Sequence, residues 1–200
     1  MSNLKELPKL MVDDSEKDGP AEAVMDYVLS WCLRRADVNC IKLEPEKPKL
    51  YNYCRLILAK FLEINLDDSV VFENVKVWKQ EYYIDLWVEV QVNGKNHAIL
   101  IEDKYYSPLR AGQLEGYKKD FDEYYNSQSE DYSKHYVLFT CIDREDPKFA
   151  IYNEAKKLRF NIFSFYELLG KECDYEYSES EIFNEFWFRW GNINNKNEIR

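Results

Sequence analysis

Histidine is nearly absent from this 200-residue chain, which has only His97 and His135. Zinc-hydrolase designs draw on several imidazoles, and with no HExxH pair that chemistry is excluded. Glycine and proline are scarce at six residues each, which excludes collagen-like and low-complexity classes. Cys32, Cys40, Cys54, Cys141 and Cys173 form no CxxC pair. They read as buried structural thiols of a reducing compartment, with no disulfide or zinc framework. No uncharged apolar run reaches about 18 residues, and the N-terminus has no signal-peptide core, so no membrane partner is expected and the expected location is the cytoplasm. Positive charge is also short: 27 basic residues stand against 37 acidic ones, for a net charge of −10. Most of such a surface repels phosphate, so any nucleic-acid contact needs a local basic region or bridging metal cations.

Aromatic residues are abundant instead, with 16 Tyr, 11 Phe and 5 Trp in a chain that is 46% apolar. That is enough for one well-covered core. The first 20 residues, with the run DDSEKDGP, cannot bury enough apolar surface to offset ordering and are expected to form a flexible arm. Residues 21–200 are expected to form a single domain. Helical spacing is found over Ala21 to Arg35 and Leu50 to Ile64, while Asp37 to Lys49, with Pro45 and Pro48, is expected to break regular structure. Val70 to Trp78, Tyr82 to Val92 and His97 to Lys104 read as strands. Leu109 to Tyr125 reads as a helix, His135 to Ile142 as a buried strand, Pro147 to Leu158 as a helix and Phe160 to Phe163 as a short strand. A helix start follows at Tyr166 to Leu169, then an acidic loop, KECDYEYSES. The final Glu181 to Trp190 helix reads as core cover, with partner docking as its alternative use. The expected fold is α/β: a mixed sheet, with an antiparallel hairpin core and a parallel strand, flanked by helices. The strands at His97 and His135, joined through a helix, should be parallel and adjacent or nearly so.

Asn93-Gly94 between two alternating runs predicts a two-residue type I′ hairpin, which pairs Val92 with Lys95. Continued down the ladder, that register sets Asp85 opposite Glu102. Facing residues on an antiparallel pair have Cβ atoms about 4.5–5.5 Å apart, and two carboxylates there repel by about 3 kcal/mol at an effective dielectric near 20. A divalent cation would convert the repulsion into chelation. Lys104 shares the face of Glu102 by period 2, whereas Asp103 points the other way. Oxygen ligands of this kind suit Mg²⁺ or Mn²⁺. Spacing alone also fits a surface ion pair between Glu102 and Lys104.

Asp85 followed by Glu102-Asp103-Lys104 resembles the PD-(D/E)xK metal-dependent nuclease superfamily, with Ile84 where that pattern has its proline. The run IEDKYYSPLRAGQLEGYKKDF is similar to the segment of RecB-like exonucleases that carries a Gln and a Tyr four apart, here Gln113 and Tyr117. The resemblance spans about residues 50–163 and implies a restriction-endonuclease-like αβββαβ core, with helical additions at both ends. It implies a Mg²⁺- or Mn²⁺-dependent nuclease hydrolysing DNA phosphodiesters by metal-activated water. Asp85 and Glu102 would bind metal, Lys104 would assist the nucleophile, and Gln113 with Tyr117 would complete the site. The acid that often joins such sites from the first core helix is not identifiable, Glu22 and Glu63 both being candidates. Within Lys104 to Lys119, Arg110, Lys118 and Lys119 are opposed only by Glu115 and are candidate nucleic-acid contacts. Tyr82, Tyr83, Tyr105 and Tyr106 flank the motif strands where rings could stack on bases. The resemblance points to bacterial or phage DNA processing, repair or defence, acting alone, as a homodimer or within a helicase or ATPase complex. The alternative is a catalytically inactive nuclease-fold module that binds a partner protein or nucleic acid.

Overall fold

The computed structural model of the chain describes residues 21–169 and 176–190. The expected arm over 1–20, Cys173 and part of the expected acidic loop lie outside the described residues. Helix α1, Ala21–Arg35, buries Met25, Val28, Leu29, Cys32 and Leu33 on one stripe and carries Arg34 and Arg35 in its last turn, where the helix dipole favours cations. The segment after it does not break regular structure as expected. Asp37 accepts a hydrogen bond from the Asn39 N–H at 2.9 Å and so caps a short helix α2, Val38–Leu43. Pro48 opens helix α3, Pro48–Phe61, at a position where its missing N–H costs nothing.

Strands β1 (Phe72–Glu81), β2 (Ile84–Val92) and β3 (Lys95–Lys104) follow as an antiparallel meander. Helix α4, Gln113–Asn126, crosses over to β4, Ser133–Thr140, which lies parallel to β3 as expected. The segment Pro147–Tyr152 is a 3₁₀ turn that passes into helix α5, Asn153–Lys157, and then β5, Asn161–Ser164, parallel to β4. The described residues thus form a five-stranded mixed sheet in the order β1-β2-β3-β4-β5, an α/β architecture. Helix α6, Phe165–Leu169, and a terminal helix that turns from α geometry at Glu181–Phe183 to a wider π coil at Asn184–Trp190 complete it. Among the described residues no helix is long and apolar enough to cross a membrane.

Both faces of the sheet are covered. Leu86, Val88, Ile99, Ile101, Val137 and Phe139 face α1, α3 and the terminal helix, whose Phe183, Phe186, Trp187 and Phe188 are buried as core cover. Trp87, Leu100 and Leu138 face Leu114 and Phe121 of α4 and Tyr152 and Phe160 beyond it. A fully buried side chain of this kind contributes roughly 1.5–3 kcal/mol. Carboxylates on either face therefore sit in a water-poor setting. Cys32, Cys54 and Cys141 are buried free thiols and Cys40 is half-buried.

Asn93 and Gly94 have φ of 50° and 79°, the turn expected from the sequence, and Asn93 also ties β1 to the hairpin through Oδ1, which accepts from the Val71 N–H at 2.9 Å. Gly94→Val should destabilise the fold by about 1–2 kcal/mol, because a β-branched residue resists a left-handed φ. Chemical denaturation would show this as a lower midpoint with an unchanged slope.

Candidate metal and phosphate site

The register counted from the turn is the register observed, from Val92↔Lys95 to Leu86↔Ile101. One step further the backbone ladder gives way to a side chain: the Asp103 N–H donates to Asp85 Oδ2 at 3.0 Å. Asp85 Oδ1 accepts from Gln80 Nε2 at 3.0 Å. Asp85 therefore ends the β2–β3 ladder and lies within reach of both faces of the sheet.

On the α4 face the five residues singled out from sequence form one network. Glu102, with 0% exposure, accepts at Oε1 from Lys104 Nζ and from Gln113 Nε2, each at 2.5 Å. Gln113 Nε2 also lies 3.3 Å from Tyr117 Oη, and Gln113 Oε1 accepts the Arg110 N–H at 3.1 Å, which fixes the loop entering α4. Lys104 Nζ donates to the Asp103 carbonyl at 3.0 Å and stands 4.0 Å from Asp85 Oδ2. Glu102 is pushed up to about 8 by burial and by the Asp85 carboxylate, with Lys104 opposing. Burial alone would lower the Lys104 ammonium, but Glu102 and Asp85 outweigh it and raise it.

On the opposite face period 2 turns Asp103 as expected, and there it meets a partner the sequence reading had not chosen. One carboxylate oxygen each from Asp26 of α1, Asp85 and Asp103 lie within 4.8 Å of one another. Asp26 is pushed up to about 7, by burial first and Asp85 second, and Asp103 is raised well above the carboxylate range by burial, Asp26 and Asp85. Asp26 Oδ1, Asp103 Oδ2 and Glu102 Oε2 are buried and accept no hydrogen bond among the described residues. Three such oxygens around Asp85 leave lone pairs that no described protein group satisfies, a costly arrangement when a proton or a cation does not meet them. The donors are hard oxygens only, the set that suits Mg²⁺, Mn²⁺ or Ca²⁺.

Of the two first-helix candidates, Glu22 reaches this region and Glu63 does not join it. Glu22 Oε1 accepts from the Tyr105 N–H at 3.0 Å and from Ser107 Oγ at 2.5 Å, holding the chain that leaves β3. Asp26 follows Glu22 by one helical turn and adjoins the buried Met25 and Leu29. That i, i+4 pair of acids at the edge of an apolar stripe was the available signal for Asp26. For Asp103 there was none, since its role depends on the docking of α1.

Arg110 lines a cleft of about 440 Å³ with Tyr82, Tyr83, Gln113 and Tyr117. Lys118 and Lys119 do not line it: Lys118 Nζ sits 3.3 Å from the centre of the Tyr136 ring, and Lys119 pairs with Glu123 at 3.9 Å. Arg110 lies in the loop before α4 and the two lysines within the helix, so the basic strip read from sequence separates into one cation at the cleft and two away from it. The chain matches no protein-family model, no curated protein and no solved structure.

Proposed function

We propose that this chain is a divalent-metal-dependent nuclease with a restriction-endonuclease-like core, hydrolysing DNA phosphodiester bonds at the Asp85 end of the β2–β3 hairpin. The observation that carries the proposal is the set of buried carboxylate oxygens on Asp26, Asp103 and Glu102 around Asp85 that accept no hydrogen bond among the described residues. Asp85 with Asp26 and Asp103 would hold a cation on one side, and Glu102 Oε2 offers a further oxygen on the other. Bound Mg²⁺ or Mn²⁺ supplies Lewis acidity toward a phosphoryl oxygen and makes water more acidic.

The protein's own groups have separable roles. Lys104, fixed by Glu102 and the Asp103 carbonyl, presents a positive charge where negative charge grows on the phosphoryl group. Gln113 orients Glu102 and also holds the loop that enters α4, which ties the cleft to the acids. Arg110 and the Tyr117 hydroxyl line the approach and can position a phosphate.

The test is cleavage of linear and single-stranded DNA by the purified protein with Mg²⁺ or Mn²⁺. Asp85 belongs to both carboxylate groups. Asp85→Asn should therefore lower both Mn²⁺ affinity, measured by calorimetry, and cleavage by more than about 10–100-fold, the loss typical of groups that only support a ligand. Absence of cleavage with any metal and either substrate would leave a binding module in its place. Activity that emerges only with an added helicase or ATPase would make the chain a subunit.

A further inference from the structure

Two tyrosines occupy the β1–β2 turn at a backbone cost. Glu81 pairs with Ile84, so Tyr82 and Tyr83 form the whole loop, and their φ values are 50° and 64°. Such a turn favours Asn and Gly, and a bulky residue held there signals strain retained for a purpose. Both rings are thrown outward, 52% and 83% exposed. Tyr82 faces two adjoining spaces. One is the cleft with Arg110, Gln113 and Tyr117. The other is a cavity of about 210 Å³ walled by Trp78, Trp87, Tyr124 and Tyr82, with Glu81 and Glu89 at its edge.

The rings of that cavity are positioned from beneath. Trp87 Nε1 donates to Tyr125 Oη at 2.6 Å, and Tyr125 Oη donates to Glu89 Oε1 at 3.0 Å. Trp87 lies 5.7 Å from Tyr82 and 5.2 Å from Tyr124, edge-on to the latter. The space is lined by aromatic rings, Tyr82 tilted by 37° and Tyr124 standing at 87° to Trp87, and its two carboxylates only accept hydrogen bonds. A suitable occupant is therefore a planar ring with N–H donors on its edge. Because Tyr82 joins this space to the proposed phosphate cleft, the occupant is continuous with whatever lies beside Arg110. A nucleobase of the bound strand fits both conditions, whereas an isolated cation is neither a planar donor-edged ring nor continuous with an occupant beside Arg110.

Resting on the nuclease reading for the location of the phosphate, we infer that the Tyr82–Tyr83 turn and the Trp78–Trp87–Tyr124 cavity take an unpaired, amino-bearing base of a single-stranded or frayed nucleic acid, stacked on the exposed Tyr82 ring with its donors on Glu81 or Glu89. A paired base has its donor edge engaged by its partner, so the slot selects unpaired strands. Thymine, whose single N–H is flanked by two carbonyls, suits the carboxylates less well than cytosine or guanine.

The experiment measures binding of fluorescently labelled dC12, dT12 and a blunt duplex in Ca²⁺, and separately their cleavage in Mn²⁺. The wild type should bind dC12 at least about fivefold more tightly than dT12, as one matched carboxylate contact allows, and should bind the duplex most weakly. Tyr82→Gly with Tyr83→Gly should weaken dC12 binding by at least about tenfold, given the loss of base stacking. Its melting temperature should stay level or rise, because glycine relieves the left-handed strain. Binding to a strand without cleavage by any metal would overturn the nuclease reading and leave the slot standing. Cleavage with unchanged dC12 affinity in the double variant, or with equal affinity for the duplex, would overturn the slot and leave the nuclease. Displacement of dC12 by millimolar choline from the wild type, with no loss in the glycine variant, would assign the cavity to cations and also overturn it.

Discussion

Lys104→Met is expected to lower the rate of DNA cleavage by roughly 10²–10³, the loss seen when one preorganised donor is removed from developing charge. Methionine keeps the length and the apolar stem that the site buries, so the loss would report the charge. The fold should persist at pH 6.5. Removing the cation leaves Glu102 bonded by Gln113 alone, and Glu102 is already pushed up to about 8, so it answers by holding its proton. Unchanged circular dichroism with lost cleavage is the expected pair of results. Equal cleavage by the wild type and the variant would remove Lys104 from the chemistry and trace the activity to a contaminant.

The metal-free protein should become less stable as pH rises from about 6.5 to 8, and Mn²⁺ should cancel that fall. Glu102, Asp26 and Asp103 are all raised in the folded state, to about 8 and about 7 for the first two. Groups raised in this way contribute stability below their unfolded values and lose it as pH passes through the folded ones. His97 and His135 are lowered, His135 to about 4, and would add the opposite slope only below the imidazole value, so they are silent in this window. A cation at one hundred times its dissociation constant stabilises by about 2.7 kcal/mol, which raises the melting temperature by roughly 5–10 °C in a chain of this size. Asp103→Asn should flatten the pH slope of the metal-free protein and shrink the Mn²⁺ shift together. A metal-free melting temperature independent of pH over this range, with no response to Mn²⁺, would remove the cation from the site.

Much of the sheet is legible in the chain itself, for a local reason. Asn-Gly admits one hairpin geometry, so the pairing of β2 with β3 follows by counting, and the alternation from Ile84 to Val92 assigns the faces. Period 2 likewise separates Lys104 and Glu102 from Asp103. Asp26 is obscure because helical spacing offers several acids and only the docking of α1 chooses among them. The dispersal of Lys118 and Lys119 is equally non-local, since it depends on Tyr136 arriving from β4. Helix α2 escapes a reading by prolines because Asp37 caps it with a side chain, a device that composition does not reveal.

The Asn93-Gly94 bend also acts at a distance. It stands roughly 25 Å along β2 from Asp85 by strand rise, yet it sets which face of the sheet takes Glu102 with Lys104 and which takes Asp103. A one-residue slip of the pairing set at that far tip would turn β3 over as a whole, exchanging the two acids through the thickness of the sheet together with the apolar residues of the strand. The bend is a ruler whose length the chemistry inherits, and a change that never approaches substrate there would silence the opposite end of the molecule.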